Sequence, residues 1–182
     1  MKDLYRPFSL ALACLALPLA SPSVQAATVT ELLFTGVANA QVLTAADRQA
    51  ISALLPVAIG PNGLLVDSEC KQASDPVITI RDMNRDGRTE VIVVEGNGCV
   101  YGMMGKAVHI LASDGQGHWR AVMTVNGDSF HERPAQPGMW PDILPAVVGF
   151  CYPIYGYADA QQKYVLKSRT PDPKMPNACK GF

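Results

Sequence analysis

The spacing of apolar residues between positions 44 and 56 predicts one amphipathic helix. The apolar residues that recur at helical intervals are Ala50, Ile51, Leu54 and Leu55. One face of such a segment can pack on a core. Thr44 offers a side-chain oxygen to the unpaired N–H groups of a first turn, and Pro56 cannot continue the helix. A helix is therefore expected over residues 45–55.

After a turn cluster at 60–63, the pattern changes to short apolar runs that polar and glycine-rich turns separate. Runs of ~4–8 residues bounded in this way predict β-strands. The predicted strands are 64–66, 77–81, 91–95, 107–112, 119–125, 143–148, 150–157 and 163–168. They predict a mainly β fold, with one antiparallel sheet or sandwich-like domain over residues 27–182 and the helix on its N-terminal side. An α+β arrangement stays open, residues 27–42 fit either a short helix or an extended arm, and residues 171–182 are expected to be an irregular tail.

Residues 1–26 have the composition of a secretory signal. Lys2 and Arg6 supply the positive start, residues 8–20 are almost wholly apolar, and a small residue, Ala26, ends the segment. Cleavage is expected after Ala26. A lipoprotein signal is the alternative, although Cys14 lies within the apolar stretch and not at its end. The later sequence has no stretch long and apolar enough to span a membrane, which predicts a periplasmic or secreted protein.

The charge balance gives no argument for a nucleic-acid partner. The net charge of the chain is −1. Binding to nucleic acid draws most of its affinity from basic patches that neutralise phosphates. A nucleic-acid interface is therefore not expected. A membrane span is not expected either, because the later sequence has no stretch that is long and apolar enough.

The cysteines beyond the predicted signal are Cys70, Cys99, Cys151 and Cys179. An even number of cysteines in an exported chain predicts disulfides. Of the possible pairings, we prefer Cys99 with Cys151 and Cys70 with Cys179, because the latter two bracket the β-rich part of the chain. A zinc site is the competing interpretation, but the cysteines are widely separated and form no C-x-x-C pair.

The segment from Asp82 to Glu90 carries the most informative chemistry of the chain. Oxygen-bearing side chains alternate at its start, Gly87 permits a sharp bend, and a carboxylate follows three residues later. Such spacing suits Ca²⁺, which takes roughly six to eight oxygen ligands in a flexible geometry. The predicted ligands are the side chains of Asp82, Asn84, Asp86 and Glu90 together with the backbone carbonyl of Arg88.

The early closure of this loop excludes an EF-hand, whose closing glutamate would fall at Val93. Residues 77–95 instead resemble the calcium loops of FG-GAP and VCBS repeat proteins. The resemblance implies a β-hairpin around a structural calcium ion in a secreted or surface protein. Because the chain has one copy and no blade-length repeat, the propeller fold is not carried over. The run 90–96 followed by Cys99-Val-Tyr-Gly is also similar to small exported bacterial proteins, which implies periplasmic residence.

A metal-free Asp-Gly turn held by Asx hydrogen bonds is the alternative for the loop. Arg81, Arg85 and Arg88 favour this alternative, since nearby positive charge opposes the binding of a cation. If calcium binds, a Kd of ~10⁻⁴–10⁻³ M, as in extracellular modules, is expected.

Candidates for catalysis are sparse. His109 lies inside a predicted strand and is expected to be a satisfied or half-buried histidine, and the histidines lack metal-hydrolase spacing. Carboxylates that could meet in space for glycoside chemistry are Glu95, Asp128, Glu132 and Asp142. They define the alternative function, a carboxylate-dependent hydrolase of the bacterial envelope.

Aromatic residues between 140 and 157 give the main surface signal. Trp140, Tyr152 and Tyr155 lie among prolines on predicted β edges, where rigid aromatic side chains can contact a protein or a glycan. Core packing is the alternative for part of this set. Together with the loop and the disulfides, these residues predict an exported, calcium-stabilised binding domain of the envelope, of an inhibitor or immunity type. The expected partner is an envelope protein or a glycan.

Overall fold

The computed structural model describes residues 27–181, and the predicted signal peptide at 1–26 lies outside the described residues. The described chain begins with helix α1 (Val29–Phe34), a 3₁₀ turn (Ala40–Val42) and helix α2 (Ala45–Ala53). Segment 27–42 is thus largely helical, and α2 confirms the predicted helix, although it ends at Ala53. Among residues 27–181, no helix is long and apolar enough to cross a membrane.

The strands form three antiparallel sheets. In chain order they are β1 (Val57–Ile59), β2 (Leu65–Asp67), β3 (Val77–Arg81), β4 (Glu90–Glu95), β5 (Ala107–Ser113), β6 (Trp119–Asn126), β7 (Phe130–Arg133), β8 (Asp142–Pro145), β9 (Cys151–Ala158) and β10 (Lys163–Pro171). The central sheet has the order β3-β4-β5-β6, the second sheet has the order β10-β9-β8-β7, and β1 pairs with β2 in a hairpin. Helix α3 (Gly98–Tyr101) and a 3₁₀ turn (Gly102–Met104) connect β4 to β5. The predicted mainly β class is confirmed, with the strands divided among three sheets.

The central sheet is covered on both faces. Val91 and Val93 of β4 lie on one face and pack with Ile51 of α2 in the first core. Ile92, from the same strand, lies on the other face and packs with Ile143 of β8 in the second core. Since a strand covered on both faces needs apolar residues at successive positions, this arrangement explains the unbroken apolar run of β4.

The sequence pattern does not predict β1, β7 or α3. Strand β7 has the sequence Phe-His-Glu-Arg, and its residues alternate between half-buried and exposed. It pairs with β8 at the edge of the second sheet. Because an edge strand can keep polar residues in solvent, it lacks the apolar run on which the prediction relied.

One disulfide joins Cys70 to Cys99, so the preferred pairing of Cys70 with Cys179 is wrong. Cys70 pairs with Cys99 because the buried carboxylate of Asp67, at the end of β2, contacts the segments that carry both cysteines. Asp67 accepts the N–H of Cys70 and, at 2.7 Å, the side-chain amide of Asn97. Asn97 also caps α3 by accepting the N–H of Cys99 at 3.0 Å. These contacts bring the two cysteines together.

The other disulfide joins Cys151 to Cys179, so the preferred pairing of Cys99 with Cys151 is also wrong. Cys151 begins β9 and lies opposite Pro171 at the end of β10. Beyond β10 the chain turns back, because the N–H of Asp172 donates to the carbonyl of Phe150 at 2.7 Å. The C-terminal tail is thereby brought to the start of β9.

Candidate ligand cleft beside the 82–90 loop

The residues between the paired strands β3 and β4 form the tip of a hairpin. Asp82 accepts the backbone N–H groups of Asp86 at 3.2 Å and Gly87 at 2.9 Å. Arg85 (φ 61°) and Gly87 (φ 86°) adopt left-handed backbone conformations, which allow the chain to curl tightly. The tip is therefore organised around the carboxylate of Asp82.

Asn84 and Asp86 form a second set of contacts within the loop. The side-chain oxygen of Asn84 accepts the N–H of Asp86 at 3.1 Å, and its amide nitrogen donates to Asp86 Oδ2 at 3.0 Å. Arg88 donates its backbone N–H to Asp86 at 2.8 Å and its guanidinium at 2.7 Å. The hydrogen bond from the Arg88 side chain is the main reason that the pKa of Asp86 lies below its ordinary value.

Glu90 closes the loop from inside the protein. It is 2% exposed and accepts the backbone N–H of Met83 at 2.7 Å. Burial, followed by the nearby negative charges of Asp86 and Asp82, raises the pKa of Glu90 from 4.5 to about 7. The carboxylates of Asp86 and Asp82 thus lie close enough to Glu90 to oppose its ionisation.

The donor chemistry of the loop fits calcium. Carboxylate and amide oxygens are the ligands that Ca²⁺ takes, and a cation would relieve the repulsion between the converging carboxylates. Among residues 27–181, however, no three Asp, Glu, His or Cys side chains already stand where they would jointly hold a metal ion. The salt bridge between Arg88 and Asp86 is one physical reason, because the guanidinium occupies a carboxylate oxygen that the ion would need. The Arg88 side chain therefore competes with a cation.

A cleft of about 430 Å³ lies beside the loop. The loop contributes Asn84, Asp86, Arg88 and Glu90 to its lining, and the second sheet and its connections contribute Trp140 and Tyr157. The volume falls within the range of ~300–1,000 Å³ that is typical of ligand sites. The backbone also joins the two parts, because Gly138 donates its N–H to the carbonyl of Asn84 at 2.7 Å. The cleft thus contains both the candidate metal loop and the tryptophan predicted to bind a partner.

Trp140 and Tyr157 form a stacked aromatic pair. Their ring centroids are 4.6 Å apart and their planes differ by 12°. The buried ring of Tyr164 meets both edge-on, at 5.9 Å from Trp140 and 5.5 Å from Tyr157. Arg120 donates to the hydroxyl of Tyr157 at 3.2 Å. Contacts on several sides fix the orientation of the pair before any ligand binds.

The two tyrosines that were predicted to bind a partner, Tyr152 and Tyr155, lie outside the cleft. Tyr155 packs against the second core, as Trp140 and Tyr157 also do, but it does not line the cleft. Tyr152 donates its hydroxyl to Asp172 at 2.8 Å and lines a separate apolar cavity of about 360 Å³. Tyr157, which accompanies Trp140 in the cleft, was not among the residues predicted to bind a partner, because its position depends on the pairing of β8 with β9.

The acids considered for glycoside chemistry do not line the cleft. Glu132 pairs with Arg81, Asp142 pairs with Lys167, and Asp128 accepts the hydroxyl of Ser129. The remaining acid, Glu95, is completely buried. The four carboxylates considered for a hydrolase therefore do not meet in this cleft.

Glu95 belongs to a buried polar cluster between β4 and β5. Its Oε1 accepts hydrogen bonds from His109 Nε2 at 2.8 Å and the Tyr101 hydroxyl at 2.7 Å. The other ring nitrogen of His109 lies 3.1 Å from the hydroxyl of Thr124. Since an ionised carboxylate only accepts, it favours the tautomer with the proton on Nε2, and Thr124 then donates to Nδ1. The expectation that His109 is a satisfied strand histidine is confirmed.

Replacing Gly96 with alanine should destabilise the protein by about 1–3 kcal/mol. Gly96 has a φ of 111°, and an added Cβ would lie 2.3 Å from the ring of Tyr101. The ring would have to move and weaken its hydrogen bond to Glu95. Urea denaturation of the purified protein measures the effect. Gly98→Ala is the matched control, because a Cβ there meets nothing within 4 Å, and equal stability of the two variants would contradict the packing argument.

The fold and the site together define an antiparallel β protein with two disulfides and an aromatic-lined polar cleft beside a hairpin loop. No protein-family model matches the sequence, and no curated protein is similar enough to be matched to it. The cleft and the loop are therefore the observations from which a function can be inferred.

Proposed function

We propose that the protein is an exported, calcium-stabilised binding domain of the bacterial envelope whose ligand occupies the cleft. The observation that carries this proposal is that the 82–90 loop and Trp140 line the same cleft. A concave site with aromatic side chains and a few converging polar groups is the usual form of a ligand site. The partner is an envelope protein or a glycan.

Calcium would act structurally in this proposal. Asp82, Asn84, Asp86 and Glu90 would hold the ion, with the carbonyl of Arg88 as a further ligand. The hydrogen bond from Gly138 to Asn84 connects the loop to the segment that carries Trp140. A more rigid loop would therefore also hold one part of the cleft lining in place.

Two features support export. The disulfides Cys70–Cys99 and Cys151–Cys179 are of a kind that persists in oxidising compartments such as the periplasm or the extracellular medium. The composition of residues 1–26 agrees with a secretory signal. We therefore propose a periplasmic or secreted location.

Calcium should raise the melting temperature of chelator-treated protein. At ~100 times Kd, a ligand that binds only the folded state stabilises it by about 2.7 kcal/mol, which corresponds to a shift of roughly 5–10 °C for a domain of this size. Asp82→Asn should lose most of this shift, whereas Asp128→Asn, which changes an exposed acid outside the loop, should keep it. Absence of both a shift and binding heat at calcium concentrations up to ~100 mM, which is ~100 times the weakest expected Kd, would refute the metal site.

The binding role can be tested by affinity capture from envelope extract. The immobilised protein should retain a component that a Trp140→Ala variant does not retain, because the variant lacks half of the aromatic pair. Calorimetry with the isolated component then measures the affinity directly. Identical capture by both proteins would show that binding does not use the cleft.

A further inference from the structure

The aromatic pair in the cleft presents rings that are already fixed in position. Trp140 and Tyr157 stack on each other, and Tyr164 packs edge-on against both. The Tyr164 hydroxyl donates to the carbonyl of Pro141 at 3.0 Å, which fixes the supporting ring as well. These side chains lose little conformational freedom on binding. Little of the contact free energy with a flat apolar ligand surface is therefore offset by the ordering of side chains.

The polar lining of the cleft offers unused hydrogen-bonding capacity. Asp159 and Gln162 both line it, and neither side chain makes a hydrogen bond within residues 27–181. Arg120 also lines it, and its Nε is buried without a partner in the described chain. A carboxylate accepts, a guanidinium donates, and an amide does both. The ligand should therefore carry groups that both donate and accept.

The charges of the cleft narrow the ligand class further. More carboxylates than guanidinium groups line it, with Asp86, Asp114 and Asp159 among the acids, which disfavours polyanions. A cationic side chain gains less from these acids than their number suggests, because Asp86 already pairs with Arg88 and Asp114 already contacts His118. Hydroxyl groups are neutral and both donate and accept, so they suit a mixed lining better than either kind of ion.

We propose that the cleft binds a neutral pyranose unit of a polysaccharide or glycan. The C–H face of the sugar ring would lie against the aromatic pair, and its hydroxyls would bond to Asp159, Gln162 and Arg120. This inference rests on the proposed binding function, whose partner it restricts to a neutral saccharide, and it does not depend on calcium.

The two tryptophans allow a specific test. Trp119 lies outside the cleft, where it donates to Asp47 at 2.8 Å, so Trp119→Phe leaves Trp140 as the only tryptophan of the chain. This variant is titrated with neutral hexasaccharides of glucose, mannose and N-acetylglucosamine, up to ~10 mM to cover millimolar affinities. At least one should change the Trp140 fluorescence in a saturable manner, with chelator present.

Neighbouring glutamines supply matched variants. Gln162→Ala should weaken binding about fivefold, the effect of losing roughly one hydrogen bond, whereas Gln161→Ala, at an exposed residue outside the lining, should not change it. Trp140→Ala, followed by calorimetry, should weaken binding at least about tenfold. Because both glutamines are exposed, their comparison stays interpretable even if Trp140→Ala fails to fold.

Three results would overturn the inference: no saturable response to any hexasaccharide, a response that Gln162→Ala leaves unchanged, or preferential binding of lysine-rich peptides. Capture of an envelope protein through Trp140, without any response to saccharides, would leave the proposed function intact and remove only the ligand class. A saccharide response without calcium stabilisation would instead remove the metal site alone.

Discussion

Replacing His109 with alanine should destabilise the protein by about 3 kcal/mol, because the variant would remove one of the two hydrogen-bond donors of the buried Glu95 carboxylate. The Glu95 side chain has no exposed surface, and its Oε2 already lacks a hydrogen-bond partner within the described residues. Without His109, only Tyr101 would still donate to the buried carboxyl group. Equilibrium urea unfolding at neutral pH measures the loss.

Two further variants test the cause of this loss. His131→Ala removes an exposed histidine from β7 and should change stability by less than ~0.5 kcal/mol. Adding Glu95→Gln to the His109→Ala variant should restore part of the lost stability, because a neutral amide costs less to bury than an unpaired carboxylate. A His109→Ala variant as stable as His131→Ala would show that the pair is not needed.

Replacing Glu90 with glutamine should stabilise the calcium-free protein above neutral pH by up to about 3 kcal/mol. The folded-state pKa of Glu90, about 7, lies above its ordinary value of 4.5. A group with a raised pKa gives full stability below its unfolded-state pKa, and this contribution is lost as the pH rises through the folded-state value. The wild-type protein should therefore lose stability between about pH 5 and pH 8, whereas glutamine does not titrate.

The measurement is urea unfolding in chelator at a series of pH values, with the difference between wild type and variant plotted against pH. Glu69→Gln changes an exposed glutamate and should give a flat difference. Calcium at pH 8 should stabilise the wild type and leave Glu90→Gln almost unchanged, because the variant lacks the closing carboxylate. A difference that does not grow with pH would show that Glu90 is not destabilised by burial.

The central sheet could be predicted because its signals are local. Strand β4 contains a continuous apolar run, β3 is mostly apolar, an Asp-Gly turn lies between them, and the turn before β6 is also rich in glycine. The hairpin that carries the loop follows from these signals alone. The metal-ligand set of Asp82, Asn84, Asp86, Arg88 and Glu90 stays a prediction, and the structure shows the Asp82, Asn84 and Asp86 side chains accepting hydrogen bonds within the turn.

The contact between His109 and Glu95, the disulfide pairing and the cleft could not be predicted, because each depends on contacts between distant segments. The pairing of His109 with Glu95 follows from the register of β4 and β5, and the disulfides follow from where Asp67 meets Asn97. The cleft depends on how the second sheet lies against the central one, which brings Trp140 to a loop about 50 residues earlier in the chain. The spacing of residues along the chain does not predict contacts between segments that are so far apart.

Each of the two observed disulfides lies within one part of the chain, and neither connects the two parts to each other. Cys70–Cys99 closes a ring before residue 100 and Cys151–Cys179 closes another after residue 150, so no covalent bond other than the backbone joins the central sheet to the second sheet. A single proteolytic cut between 100 and 150 would yield two pieces that separate on a denaturing gel without reductant. The two sides of the cleft are thus held together by the apolar core and by polar contacts such as the hydrogen bond from Gly138 to Asn84, and the backbone is the one covalent connection between them.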